Sequence, residues 1–110
     1  MRILDIFEEL NKAKTEIVQY VQKAVDLIEG LNSNDTSGAN DTLIREAGEN
    51  ILKVFSVSNR YQIPLPEKFI AILIKTSNNL IVCSCSRDES AQAAQARNAI
   101  EPIKEILKNS

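Results

Sequence analysis

The sequence predicts an α+β fold in which three helices flank a β-hairpin. Two observations favour it: a long amphipathic repeat over residues 3–31, and two apolar runs on either side of Asn78-Asn79 within residues 69–86. The expected order is a long N-terminal helix, a second helix, a β-hairpin over about residues 69–86 and a C-terminal helix kinked near Pro102. A length of 110 residues suits a single domain, residues 1–110. An all-α four-helix bundle is the alternative.

The first helix is predicted from apolar residues that recur every three or four positions from Ile3 to Leu31. A second apolar seam lies beside the first and contains Leu4, Phe7, Val18, Val21 and Val25. Two adjacent seams make a broad stripe, which is typical of a helix that contacts two neighbours. A stripe of this length also suits binding to a second copy of the chain, so both roles are kept.

The second helix is predicted over residues 41–58, after a loop at residues 32–40. The loop is rich in Ser, Asn, Asp and Gly, which favour turns, and we expect it to be mobile. Asp41 can cap the helix because its carboxylate accepts bonds from backbone N–H groups of the first turn. Gly48 costs about 1 kcal/mol in a helix interior. Its presence therefore indicates close approach by another helix, for which the first helix is the candidate.

The third segment can be interpreted in two ways. As a hairpin, it places Asn78 and Asn79 at a tight turn. Alternation then gives one inward face, made up of Ile70, Ile72, Ile74, Ile81, Cys83 and Cys85. As a helix, it begins near Pro66, where proline is favoured, but it must absorb the polar run of residues 76–79. We favour the hairpin.

The C-terminal helix is predicted to start at Ser86. Residues 86–89 have the Ser-x-x-Glu form of a capping box, in which two side chains satisfy backbone N–H groups. Pro102 lacks a backbone N–H and clashes with the preceding turn, so a kink or break is expected there.

Catalytic chemistry is not expected. The chain has no histidine, which excludes a Ser-His-Asp triad and a Cys-His dyad. Cys83 and Cys85 would point to the same face of a strand, where two sulfurs could hold a soft metal ion. Unpaired cysteine is more often a buried apolar filler. We therefore expect no enzyme, no cofactor and no small-molecule substrate, and keep both cysteines as weak metal candidates.

Charge and hydropathy restrict the class of partner and the cellular compartment that we expect. The 13 basic residues are scattered among 15 acidic ones and form no basic stripe of the kind that binds nucleic acid, so we do not expect a nucleic-acid partner. No apolar run reaches membrane-spanning length, and acids interrupt the N-terminus where a signal peptide would be uncharged. We expect a cytoplasmic protein without membrane insertion.

These observations predict a small protein that acts by binding another protein, first of all a second copy of itself. The free edge of a two-stranded hairpin can pair with another strand. The predicted contact residues come from the first helix and from the hairpin: Leu4, Phe7, Val18, Val21, Val25, Lys75 and Val82.

The four-helix alternative is supported by a resemblance of one stretch of the chain to a known family. The polar-to-proline stretch from Asn59-Arg60 to Pro66, followed by an apolar segment, resembles the entry to the third helix of small bacteriocin immunity proteins. The resemblance covers less than half of the chain and implies an all-helical four-helix bundle. The chain departs from those proteins in lacking the extended flexible C-terminal tail that they use for specificity. A helical small subunit of a nucleoprotein complex is a further alternative, which the acidic balance disfavours.

Overall fold

A computed structural model describes residues 3–31, 39–85 and 89–108, with side chains for 11–31, 40–85 and 91–108. These residues form four helices: α1 (Ile3–Glu29), α2 (Ala39–Tyr61), α3 (Glu67–Ser84) and α4 (Glu89–Lys108). The predicted α+β class is wrong, because the described ranges contain no strand. The four-helix alternative is the correct class.

The hairpin prediction fails because α3 gives its small polar residues local partners. The hydroxyl of Ser77 donates to the carbonyl of Ile74 at 3.0 Å, and that of Ser84 donates to Ile81 at 2.6 Å. Such back-bonding lets buried Ser residues sit within a helix. The buried positions of α3 follow a helical period: Leu73, Thr76, Ser77, Leu80, Cys83 and Ser84. The alternation that favoured a strand counted Ile74 and Ile81 as inward, whereas both are exposed.

The helices pack as a ring in which each packs mainly against two others. Helix α1 contacts α2 and α4, and α3 packs against the same two helices from the other side. Ion pairs show that α1 and α2 run antiparallel, since Lys23 pairs with Glu46 and Glu16 with Arg60. The four helices enclose one core. Its largest fully buried side chains are apolar: Ile28, Ile44, Ile51, Leu73, Leu80, Ile100 and Ile103.

Helix α1 packs against two neighbouring helices, as predicted. Part of its second apolar seam is buried in the core. Val21 and Val25 are buried, and both belong to the continuous apolar cluster. Val18 remains exposed. Leu4 and Phe7 lie in α1, and their side chains fall outside the described residues.

Helix α2 ends in a Schellman motif that accounts for the stretch before α3. Gln62 has a positive φ of 55°. The N–H of Gln62 donates to the carbonyl of Asn59 at 3.3 Å, and that of Ile63 donates to Ser58 at 2.9 Å. These two bonds satisfy carbonyls that a helix end leaves free, and the proline that follows prevents continuation. The chain then runs extended to Pro66, the residue before α3.

The other predicted boundaries need small corrections. Helix α2 starts at Ala39, so Asp41 lies in its first turn rather than at its cap, and Asn40 is buried in the helix. Residues 32–38 of the predicted mobile loop and residues 86–88 of the predicted capping box lie outside the described residues. Helix α4 continues through Pro102 to Lys108 and does not break there.

Asn50 offers a test of the core. Its side chain is fully buried on α2, and Nδ2 donates to the carbonyl of Glu46 at 2.8 Å, but Oδ1 has no partner among the described residues. Since a buried acceptor without a partner costs about 1–3 kcal/mol, Asn50→Leu should raise the free energy of unfolding by about 1–2 kcal/mol. Urea denaturation followed by circular dichroism measures this. A loss of stability would show that Oδ1 does have a partner.

Candidate functional site

The most exposed apolar side chains of the described residues concentrate on α3. Val82 is 70% exposed, Ile74 is 47% exposed and Ile81 is 36% exposed. These three residues are called the α3 apolar surface below. Single exposed hydrophobic residues are ordinary, but three on one helix mark a candidate contact site.

The close packing of α2 against α3 sets the position of this surface. A Cβ atom at Gly48 would lie 3.3 Å from Cγ1 of Ile81 and 3.5 Å from the carbonyl oxygen of Ser77. The missing side chain thus lets the α2 backbone approach α3 directly. The mid-helix glycine predicted a close approach, but the neighbour is α3 and not the first helix. Leu52 follows Gly48 by one turn on the same side of α2 and is also exposed. It extends the apolar area toward α2.

An open groove of about 490 Å³ lies on the other side of α3, between α3 and α4. We call it the α3–α4 groove, and its main lining residues are Lys75, Asn79, Val82, Gln95, Asn98 and Pro102. Val82 belongs both to the groove and to the α3 apolar surface, so the two features are continuous.

The polar side chains that line the groove are three amides, one amine and the hydroxyl of Thr76. Pro102 has no N–H, so it cannot donate the helical hydrogen bond to the carbonyl of Asn98. Both residues line the groove. Lys75 is exposed, and no aspartate or glutamate lines the groove with it. The groove can therefore accept a hydrogen bond and attract an anion.

A buried polar junction fixes the end of the bundle beyond the groove. Gln92 is almost fully buried, and its Nε2 donates to the carbonyl of Cys83 at 2.9 Å and to the carboxylate of Asp41. It joins the beginnings of α2 and α4 to the end of α3. The sequence analysis missed this residue, because the only sign of it is a glutamine in a small-residue stretch of α4.

Charged contacts close the ring between α1 and α4. Arg97 donates to the carbonyl of Leu31 at 2.8 Å, and Lys104 pairs with Glu29 at 3.3 Å. The hydrogen bond to Glu29, with the charge of Glu101, raises the pKa of Lys104. These contacts hold α4, and hence one wall of the groove, in place.

The two cysteines do not form a shared site. Positions two apart on a helix point to nearly opposite sides, and Cys83 is buried whereas Cys85 is exposed. Burial raises the pKa of the Cys83 thiol. The expected inward position is confirmed for Cys83 and wrong for Cys85. Within the described ranges, no group of three or more Cys, Asp or Glu residues could hold a metal ion.

This difference predicts selective alkylation. Iodoacetamide at pH 8 should label Cys85 much faster than Cys83, because Cys83 is only 9% exposed, although it helps to line the α3–α4 groove, and burial disfavours its thiolate. Intact-mass spectrometry should show one adduct on the folded protein and two in guanidinium chloride. Two adducts that form at equal rates on the folded protein would contradict the burial of Cys83.

The predicted contact residues do not form one surface. Val82 and Lys75 come together at the α3–α4 groove, and Val18 lies on α1, which is not a main neighbour of α3. Val21 and Val25 are core residues, while the side chains of Leu4 and Phe7 are outside the described ranges. What the structure adds is Ile74, Ile81 and the α4 side of the groove.

Two further findings concern the described helices and the sequence as a whole. Among the helices described, none is long and apolar enough to cross a membrane. Comparison of the chain with protein-family models, with curated proteins and with solved structures finds no match.

Proposed function

We propose that the chain is a non-enzymatic helical protein that acts by binding a protein partner, as a bacteriocin immunity protein. Such a protein protects the cell that makes a bacteriocin from its own product. The observation that carries the proposal is the α3 apolar surface, displayed on a bundle of four helices. A rigid helix face with exposed apolar anchors is a common means of protein recognition.

The bundle supports the immunity assignment in two ways. An all-helical fold is what the resemblance at residues 59–66 implies. That stretch forms the Schellman end of α2 and the proline-bounded entry to α3. The same stretch therefore sets the direction of α3, the helix that carries the exposed apolar residues.

Self-association has less support in the structure than it had in the sequence. The hairpin edge that would have paired two copies is absent from the described ranges, and Val21 and Val25 are buried within one chain. A dimer would now have to use the α3 apolar surface. Light scattering coupled to size-exclusion chromatography decides this: the proposal expects the monomer mass of 12.2 kDa.

A protection assay tests the function. The chain is expressed in a bacteriocin-sensitive bacterium, which is challenged with purified bacteriocins and with the culture supernatant of the source strain. We expect the inhibitory concentration of one of these preparations to rise at least about tenfold. Because an interface anchor is often worth 1–2 kcal/mol, Val82→Lys should remove most of that protection.

Val18→Lys is the matched control. Val18 is also an exposed valine on a helix, but it lies on α1, away from the α3 apolar surface. It should protect as well as the unsubstituted chain. No protection against any preparation, or equal loss in both variants, would contradict the proposal. Circular dichroism of both variants confirms that they fold.

A further inference from the structure

We infer that the α3–α4 groove binds an acidic amphipathic helix of the partner, with Lys75 contacting its carboxylates. The inference rests on the proposed function only in that a protein partner exists. It adds where the partner binds and what chemistry the bound segment carries.

The shape of the groove suits a helix. It is open along its length and lies between two antiparallel helices, an arrangement in which an amphipathic helix places its apolar face. On the α3 side, Lys75, Asn79 and Val82 follow one another at helical steps. On the α4 side, Gln95, Asn98 and Pro102 do the same. Val82 at the rim supplies the apolar anchor, since most of its side chain has no cover.

The charge of the groove selects an acidic segment. The whole chain carries a net charge of −2, yet the residues that line the groove include one lysine and no acid. Lys75 makes no ion pair within the described residues, as is also true of Lys14 on α1. Lys75 differs from Lys14 because it lines a groove that contains no acid. An amine that lies beside an apolar anchor and lacks a carboxylate partner favours a carboxylate from outside.

The groove also offers hydrogen bonds that an incoming helix can use. Asn79, Gln95 and Asn98 can each donate and accept. The carbonyl of Asn98 lacks its usual donor because of Pro102. Polar side chains on the flank of the bound helix would contact these groups, while its apolar side chains contact Val82. Affinity and orientation then come from different residues.

Two designed peptides test the inference. Each is a helix of about 14 residues, roughly four turns. Both carry leucines along one face, and the remaining positions are glutamate in one peptide and lysine in the other. Fluorescence anisotropy of the labelled peptides measures the dissociation constants, and amide NMR of the protein locates the site. We expect the acidic peptide to bind at least about tenfold more tightly. We also expect the shifted amides to include Asn79, Val82 and Asn98.

Charge reversal provides the decisive comparison. Lys75→Glu should abolish the preference for the acidic peptide, whereas Lys14→Glu, the same change at an exposed position of α1, should preserve it. Failure of both peptides to bind, equal affinities, or an unchanged preference in Lys75→Glu would overturn the inference. If protection against a bacteriocin persists in any of these cases, the groove inference fails while the proposed function stands. Binding at the groove without protection would support the groove inference and contradict the proposed function.

Discussion

Replacing Gln92 with alanine is expected to lower the free energy of unfolding by about 3 kcal/mol, one of the two largest effects in the molecule. The glutamine is buried and donates to the carbonyl of Cys83 and to the carboxylate of Asp41. Alanine removes both bonds and leaves a cavity where α2, α3 and α4 meet. Chemical denaturation followed by circular dichroism measures the loss.

Gln95→Ala is the matched control for this prediction. It removes the same side chain one turn later on the same helix, but Gln95 is exposed. Exposed substitutions of this kind usually change stability by less than about 0.5 kcal/mol. Equal effects of the two substitutions would mean that the junction around Gln92 does not stabilise the bundle.

Replacing Gly48 with leucine should cost about 2–3 kcal/mol by overpacking. The first added carbon already comes within 3.3 Å of Ile81 and 3.5 Å of the Ser77 carbonyl oxygen. The remaining three carbons have no room unless α2 and α3 move apart. Because α3 also forms one wall of the α3–α4 groove, amide NMR shifts should extend from Ser77 to Val82. Denaturation curves give the stability change.

Gly48→Ala separates crowding from helix propensity. Alanine gains about 1 kcal/mol of helix propensity over glycine. It needs only a small shift of Ile81, whose side chain is partly exposed and can give way. The expected net change is close to zero. If alanine lowered the free energy of unfolding as much as leucine does, even a single Cβ would be excluded at position 48. Only glycine would then fit there.

The long periodic segments were predictable from the sequence, and the short apolar one was not. Helix α1 was expected at Ile3–Leu31 and is found at Ile3–Glu29, because its repeat continues over many turns. The third segment was misassigned because isoleucines at alternate positions imitate a strand face. The bonds by which the hydroxyls of Ser77 and Ser84 find partners on the preceding turn leave no pattern in the sequence.

The candidate site was only partly predictable for a related reason. Val82 and Lys75 were expected at a contact surface, but as edge residues of a hairpin. They are close to one another because helical spacing places them on one side of α3. Their meeting with Asn98 and Pro102 depends on how α4 packs, which no local pattern reveals. The polar junction at Gln92 is likewise a product of three helix ends.

The ring of neighbouring helices has a consequence for how the chain folds. Three of the four main helix-packing contacts join elements that are adjacent in sequence, and the fourth, between α1 and α4, spans the chain. Folding therefore closes mostly short loops, and domains with such local contacts fold in roughly microseconds to milliseconds. The contacts of Arg97 and Lys104 with the end of α1 would form last, since they require the longest closure.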